Sequence, residues 1–175
     1  MKKKVVIIIW AISLITSIFI NIRLVSSYNN AKECALSGIY TNLKNITVLL
    51  DNIESSILND GKIDDYTLKS LEIMCIQLDN SIYTLSSLSL GTTPYKNSKD
   101  FYNNLFFLVK GYNTGEVEIS AISQYKVRIE ELIVKLSPNE KLLIDDYDNI
   151  CLNPNNSLSI SQIINLIDST LKSIG

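Results

Sequence analysis

The chain opens on an apolar run and continues as amphipathic segments of helical period. Lys2, Lys3 and Lys4 precede a stretch of 18 residues, Val5 to Ile22, that holds no ionisable residue. As a helix this stretch would be about 27 Å long, close to the hydrocarbon thickness of a bilayer. Its hydroxyl side chains can return hydrogen bonds to the helix backbone, so they permit insertion. The pattern predicts a signal anchor within residues 1–27, with membrane lipid as its partner.

A cleaved signal peptide is the alternative for the same residues. It also has a basic start, but its apolar centre is usually about 7–15 residues long. The best cleavage site follows Ser27, with Val25 and Ser27 as the small residues, and Arg23 stands between the apolar run and this site. We therefore expect an uncleaved anchor, and a secreted protein beginning at Tyr28 remains the alternative.

Charge predicts the orientation of such an anchor. Three lysines precede the run and Arg23 follows it, so the positive-inside rule places the N-terminus in the cytoplasm and residues 28–175 outside the membrane. This second part contains twelve of the sixteen basic residues and all eighteen acidic residues, a net charge of about −6. An acidic exterior domain argues against nucleic acid as a partner.

Beyond the anchor, apolar residues recur at alternating spacings of three and four, which is typical of helices that bury one face. The first seam predicts a helix over about residues 30–58, and no proline or glycine separates it from the anchor. The second predicts a helix from an N-cap at Asp64 to Gly91. Together they predict an antiparallel αα-hairpin. The seams consist of Leu36, Ile39, Leu43, Ile46, Leu50, Ile53 and Ile57, and of Leu68, Leu71, Cys75, Leu78, Ile82 and Leu85.

The same periodicity continues towards the C-terminus. Ser98 is the expected cap of a third helix, and Asn113-Thr114-Gly115 interrupts it. Asn113 and Glu116 have capping-box spacing for a restart. The apolar faces are Phe101, Leu105, Leu108 and Tyr112 before the interruption, and Ile122, Tyr125, Ile129, Leu132 and Leu136 after it.

Two more helices are predicted after Leu136. Ser137, Pro138 and Glu140 supply an N-cap, a first-turn proline and an N3 acid for a helix that holds Leu143 and Tyr147 and ends near Cys151. Ser159 with Gln162 predicts the last helix, whose one face is Ile160, Ile163, Ile164, Ile167, Leu171 and Ile174. The sequence therefore predicts an all-α fold, in which an N-terminal transmembrane helix precedes an extracytoplasmic antiparallel bundle of about five helices, residues 28–175.

Three cysteines are candidates for disulfides. Cys75 occupies a seam position and should be buried, and Cys151 at a predicted helix end is a candidate to approach it. Cys34 lies outside the seam and close to the membrane, where it is a candidate to link two parallel chains into a homodimer. No CxxC pair or metal-ligand cluster is present, so neither a metal site nor a cofactor is expected.

The residue types argue against catalysis. Histidine is absent, which removes histidine-based triads and leaves any serine nucleophile without its commonest base. No glycine-rich phosphate loop is present. Aligning Gly61 with the glycine of a calcium-binding EF-hand places Ser56, Leu58 and Thr67 where ligands belong, so the match fails. We predict no catalytic, cofactor-binding or metal residues; Asp145, Asp146 and Asp148 are assigned to a solvated helix face.

The expected function is therefore a non-enzymatic, membrane-anchored envelope protein whose bundle binds another, unidentified envelope protein. Fourteen lysines against two arginines, with 27 isoleucines and 18 asparagines, are typical of an AT-rich bacterial genome. Two alternatives remain: a bundle that holds a small hydrophobic or peptide ligand between its helices, and an enzyme that uses carboxylates alone.

Overall fold

The apolar run and the first bundle helix form one continuous helix. The computed structural model describes residues 2–88, 98–136, 143–144, 150–151 and 160–172, with the side chains of 4–88, 103–136 and 160–170. Helix α1 spans Lys2–Asp60, 59 residues, without a break at the Ser26–Asn30 junction. The prediction that the two segments join directly is confirmed. The helix continues through the junction because the junction contains no helix-breaking residue.

The turn after α1 has the predicted chemistry. Gly61 adopts φ 69°, and its N–H donates to the Ile57 carbonyl oxygen at 3.0 Å, which is a left-handed C-cap. Asp64 is the N-cap of α2, Asp65–Ser87, and its carboxylate accepts from the Thr67 N–H at 2.8 Å and from the Thr67 hydroxyl at 2.6 Å. Both ends of this turn were therefore predicted from residue types.

Helix α3, Ser98–Thr114, ends in a Schellman motif. Gly115 has φ 76°, its N–H donates to the Tyr112 carbonyl, and the Glu116 N–H donates to the Gly111 carbonyl at 2.9 Å. The predicted restart at Asn113 and Glu116 is wrong, because α4 begins later and spans Ile119–Leu136. The Asn113 side chain is not available as a cap, since it bonds to the turn before α2.

A strand pair occupies part of the segment predicted as the fifth helix. Strands β1, Leu143–Ile144, and β2, Ile150–Cys151, pair antiparallel, with Leu143 opposite Cys151 and Ile144 opposite Ile150. The prediction of a helix through these positions is wrong. Residues 145–149 between the strands are Asp-Asp-Tyr-Asp-Asn, and Asp and Asn favour turns over helix interiors. The proposed start at Ser137, Pro138 and Glu140 lies outside the described residues.

The helices form a cyclic arrangement. Helix α1 contacts α2 and α4, and α3 contacts the same two helices from the opposite side. Two contacts along each helix pair show that both neighbours of α1 run antiparallel to it. Gly38 lies beside Ser81 and Asn45 beside Met74 of α2, while Asp51 contacts Lys126 and Glu54 contacts Ser123 of α4. Helix α5, Ile160–Lys172, packs on α2, α3 and α4, and strand β2 packs on α1. The described elements thus form a bundle of five helices, with one short strand pair beside it.

The predicted seams form the core. All seven positions of the α1 seam are buried, as are five of the six positions of the α2 seam and all five of the α4 seam. Leu68, the first α2 position, is half-buried. In α3 the buried apolar side chains are Leu105 and Val109, of which Val109 was not predicted, while Leu108 and Tyr112 pack at the edge. In α5 Ile160, Ile163 and Ile167 are buried and Ile164 is partly buried. The side chains of Phe101, Leu171 and Ile174, which were also predicted on these faces, lie outside the described residues.

Candidate functional site

The N-terminal part of α1 is apolar and wholly exposed. Every side chain from Lys4 to Asn30 is exposed, and the large apolar ones between Val5 and Val25, including Trp10 and Phe19, keep more than half of their surface accessible. A core helix of a soluble protein would instead be mostly buried. The segment is long and apolar enough to cross a membrane, although a signal sequence at the N-terminus meets the same test.

Two polar side chains within this segment donate hydrogen bonds to its own backbone. The Thr16 hydroxyl donates to the Ile12 carbonyl at 2.9 Å, and the Asn21 amide donates to the Ser17 carbonyl at 3.0 Å. Such bonds lower the free-energy cost of placing these groups in hydrocarbon. The Arg23 guanidinium lies 6.0 Å from the Phe19 ring at the end of the apolar run. Thr16 and Asn21 are therefore both hydrogen-bonded within the segment.

The bundle starts close to the end of the apolar run. Residues 26–30 are exposed, burial begins at Ala31, and Ala35 and Leu36 belong to the core. Ala31 lies eight positions after Arg23, which is about 12 Å along the helix. If the apolar run lies in lipid, the bundle stands immediately above the headgroups, joined to the span by unbroken helix.

Helix α2 carries a second heptad seam, on the side away from the core. Its positions alternate by three and four residues and are Tyr66, Lys69, Ile73, Ile76, Asn80 and Tyr83. We call these six residues the α2 outer face. All six are exposed, and Tyr66, Ile73, Ile76 and Tyr83 are 82%, 44%, 46% and 57% accessible. A surface helix normally presents charged residues here, so this apolar stripe is typical of an interaction surface.

Charge around the α2 outer face is unevenly distributed. Lys69 is the one charged residue among the six. One flank carries a row of acids at seven-residue spacing, Asp65, Glu72 and Asp79, and the other flank carries Ser70, Gln77 and Thr84. Sequence reasoning missed this face because the inner seam of α2 already accounted for its periodicity. The spacing was nevertheless visible in the sequence.

Ser123 and Lys126 form the polar cluster between α1 and α4. Their Ser-x-x-Lys spacing, which sequence reasoning also missed, occurs in some serine nucleophile–lysine pairs. Here the Ser123 hydroxyl donates to a Glu54 carboxylate oxygen, and the Lys126 ammonium pairs with Asp51 and lies 3.7 Å from Glu54. The hydrogen bond to Asp51 raises the pKa of Lys126. A lysine that acts as a general base needs a lowered pKa instead. This cluster therefore links α4 to α1 through hydrogen bonds and an ion pair.

The turn between α1 and α2 and the turn between α3 and α4 lie at the end of the bundle away from the apolar run and are hydrogen-bonded to each other. Ile63 donates its N–H to Asn113 Oδ1, and Asn113 Nδ2 donates to the Ile63 carbonyl, both at 2.9 Å. An open depression of about 690 Å³ lies between the two turns, with Asp64 and Asp65 on its wall. The hydrogen bonds from Thr67 lower the pKa of Asp64, which is committed to capping α2. No three acidic or cysteine side chains are grouped for a metal ion in the part of the chain that the structure describes.

Two of the cysteines can be placed. Cys34 is an exposed thiol on α1, and Cys75 is fully buried in the α2 seam, as predicted. Burial, with smaller contributions from Asp79 and Glu72, raises the pKa of Cys75 to about 12, so its thiol is unreactive at neutral pH. The Cys151 side chain and Asp145, Asp146 and Asp148 lie outside the described residues. The disulfide candidates stay predictions.

Comparison with known proteins adds no relative: no protein-family model, no curated protein and no solved structure matches this chain.

Proposed function

We propose that this chain is a non-enzymatic, single-pass membrane protein of the bacterial envelope, whose exterior bundle binds another protein. One observation carries the proposal: α1 is a single helix with an exposed apolar N-terminal part and a C-terminal part that supplies the core seam of the bundle. A helix built in this way transmits the position of the span directly to the bundle. The lysines before the span support a cytoplasmic N-terminus.

The α2 outer face supports the binding role. Tyrosine and isoleucine are exposed together on it, and exposed aromatic residues are enriched at the centres of protein interfaces. Carrying these side chains on a solvated helix reduces solubility, which a docking function would explain. The Ser123–Lys126 cluster supports a role other than catalysis, because both side chains are engaged by carboxylates of α1.

Membrane extraction and thiol labelling test the tether and its orientation. In cells that express the full chain, we expect it to stay in the membrane pellet after washing at alkaline pH. In a Cys151→Ser chain, a membrane-impermeant maleimide should label Cys34 in intact cells. A Cys34→Ser, Cys151→Ser, Lys4→Cys variant should be labelled only after the cells are opened, because the introduced thiol would face the cytoplasm. Labelling of Lys4→Cys in intact cells would contradict the orientation.

Photocross-linking tests the binding role. A photoreactive phenylalanine analogue in place of Tyr66 or Tyr83 should give a discrete adduct in native membranes. Phe107 on α3 is the matched control, because it is an aromatic residue of comparable exposure, 61%, on another helix. Adducts of equal yield from all three positions, or from none, would contradict a binding role for the α2 outer face.

A further inference from the structure

The α2 outer face has the heptad spacing of a coiled-coil seam. With Tyr66, Ile73 and Asn80 as a positions, Lys69, Ile76 and Tyr83 become d positions. Isoleucine fills one a and one d position at the centre of the stripe, and both central side chains are nearly half exposed. We infer that the α2 outer face binds the same face of a second copy of this chain, with the two α2 helices parallel.

Asn80 favours a copy of itself as its partner. A single asparagine at an a position of a coiled coil pairs with the same asparagine of the other helix and fixes the register, at some loss of stability. Its amide is both donor and acceptor, so it is self-complementary. The face of an unrelated apolar helix would leave this amide without a partner in the interface, which is unfavourable.

The acidic row selects the parallel orientation. Asp65, Glu72 and Asp79 occupy g positions, and the neutral residues Ser70, Gln77 and Thr84 occupy e positions. In a parallel pair each g residue faces an e residue of the other helix, so every acid meets a neutral polar side chain. In an antiparallel pair g faces g, and the acids of the two chains would meet. This charge pattern therefore disfavours the antiparallel pair.

Lys69 is the least favourable position of this register, because two copies would bring two ammonium groups towards the same seam. It lies four residues after Asp65 and three before Glu72, spacings at which opposite charges attract on a helix. Its long side chain can also carry the charge out of the seam while its methylene groups stay in contact. The acids at g thus offset the repulsion between the two lysines.

The size of the face indicates that the membrane assists the pairing. Stable interfaces bury about 800 Å² on each partner, and the α2 outer face alone provides on the order of half of that. Two chains anchored in one bilayer already stand parallel and at the same height, which raises their effective concentration. The inference rests on the proposed membrane anchoring, because anchoring raises the effective concentration of the two chains. We therefore expect the chains to pair in membranes rather than in dilute detergent.

Cysteine cross-linking of the full chain in liposomes tests the inference. In a Cys34→Ser, Cys151→Ser background, Asn80→Cys should be joined to its own copy by a short bis-maleimide, since equivalent a positions face each other in the parallel register. Ser55→Cys on the exposed side of α1 is the matched control. We expect at least about tenfold more dimer from Asn80→Cys than from Ser55→Cys. Equal yields would overturn the inference.

A second variant separates pairing from folding. Ile76→Glu, added to the Asn80→Cys chain, should reduce the cross-linked dimer at least about tenfold, because it adds a charge to the seam beside the acidic row. Val127→Glu on α4, where Val127 is 51% exposed, should leave the yield unchanged. Circular dichroism should show the same helix content for both. An undiminished yield with Ile76→Glu would overturn the inference.

Alkaline extraction of the same liposomes distinguishes the two proposals. If the chain is retained by the bilayer but Asn80→Cys does not cross-link, self-pairing is wrong and the tether stands. If the chain is released, the tether itself is wrong. Because the liposomes contain no other protein, a cross-linked species at twice the chain mass of 19.7 kDa can only be a pair of copies.

Discussion

Replacing Asn113 with alanine should separate the two turns at the far end of the bundle. The side-chain amide makes two hydrogen bonds of 2.9 Å to the backbone of Ile63, one as acceptor and one as donor. Ile63 itself is 3% exposed, so its N–H and C=O lie in a partly buried place. Asn113→Ala leaves both groups without their partner.

The expected loss follows from these two bonds. Each contributes about 0.5–1.5 kcal/mol net, and a buried group left without a partner costs about 1–3 kcal/mol. Because water can reach this site in part, we expect the free energy of unfolding to fall by about 2 kcal/mol, or a melting temperature lower by about 4–8 °C. Asn113→Asp should also destabilise the bundle, because a carboxylate oxygen replaces the donor that faces the Ile63 carbonyl.

Urea unfolding of the solubilised full chain, followed by circular dichroism, measures this loss. Helix in the span gives a constant background, so the transition reports on the bundle. Asn52→Ala is the matched control, because Asn52 is exposed on α1 and its truncation should change stability by less than about 0.5 kcal/mol. If Asn113→Ala were as stable as Asn52→Ala, the pairing of the two turns would contribute nothing and our reasoning would be wrong.

Three further predictions concern the core, the contact between α1 and α2, and the cap of α2. Leu50→Ala should lower the unfolding free energy by about 3–5 kcal/mol in the same urea assay, because Leu50 is fully buried, whereas exposed Val48→Ala should cost less than about 0.5 kcal/mol. Gly38→Ala should destabilise the bundle despite the better helix propensity of alanine, since its Cβ would lie 2.6 Å from Ser81 Oγ, and Ser81→Ala, which removes this oxygen, should recover the loss. The pKa of Asp64 is lower in the folded chain than its ordinary value of 3.8, so its carboxylate stabilises the fold above pH 3.8. This contribution is lost as the pH falls through the pKa of the folded state. Asp64→Asn should therefore remove that part of the pH dependence in acid-unfolding curves. An acid transition of Asp64→Asn identical to that of the parent chain would contradict the role of the cap. An unchanged unfolding free energy for Gly38→Ala would contradict the close contact between α1 and α2. A loss for Leu50→Ala no larger than that for Val48→Ala would contradict the buried position of Leu50.

The core could be read from the sequence because each helix buries one stripe. The spacing of three and four residues identified Leu43, Leu50 and Leu78 as core positions, and all three have no accessible surface. The end of α1 and the start of α2 could be predicted as well, since glycine in a left-handed cap and aspartate at an N-cap act through local geometry. The predicted end of the second helix at Gly91 is wrong, because α2 ends at Ser87. These features depend on neighbours in the chain.

Contacts between residues far apart in the sequence could not be predicted in this way. Asn113 was taken for a cap because of its spacing to Glu116, but its actual partner, Ile63, is 50 residues away. The segment that contains Leu143 and Cys151 follows residues typical of a helix start, yet it pairs as two strands. The residue types of one segment do not determine which other backbone segment will pair with it. The α2 outer face is a different case: its period was visible, but exposure could be assigned only once the inner seam was known to be buried.

The most direct test of the account is the intact mass of the chain recovered from alkali-washed membranes, together with its N-terminal sequence. We predict that it retains residues 1–27 and stays in the membrane fraction. A mature chain that begins at Tyr28 and is recovered from the medium would show that the apolar part of α1 is a removed signal, and both the tether and the membrane-assisted pairing would then be wrong.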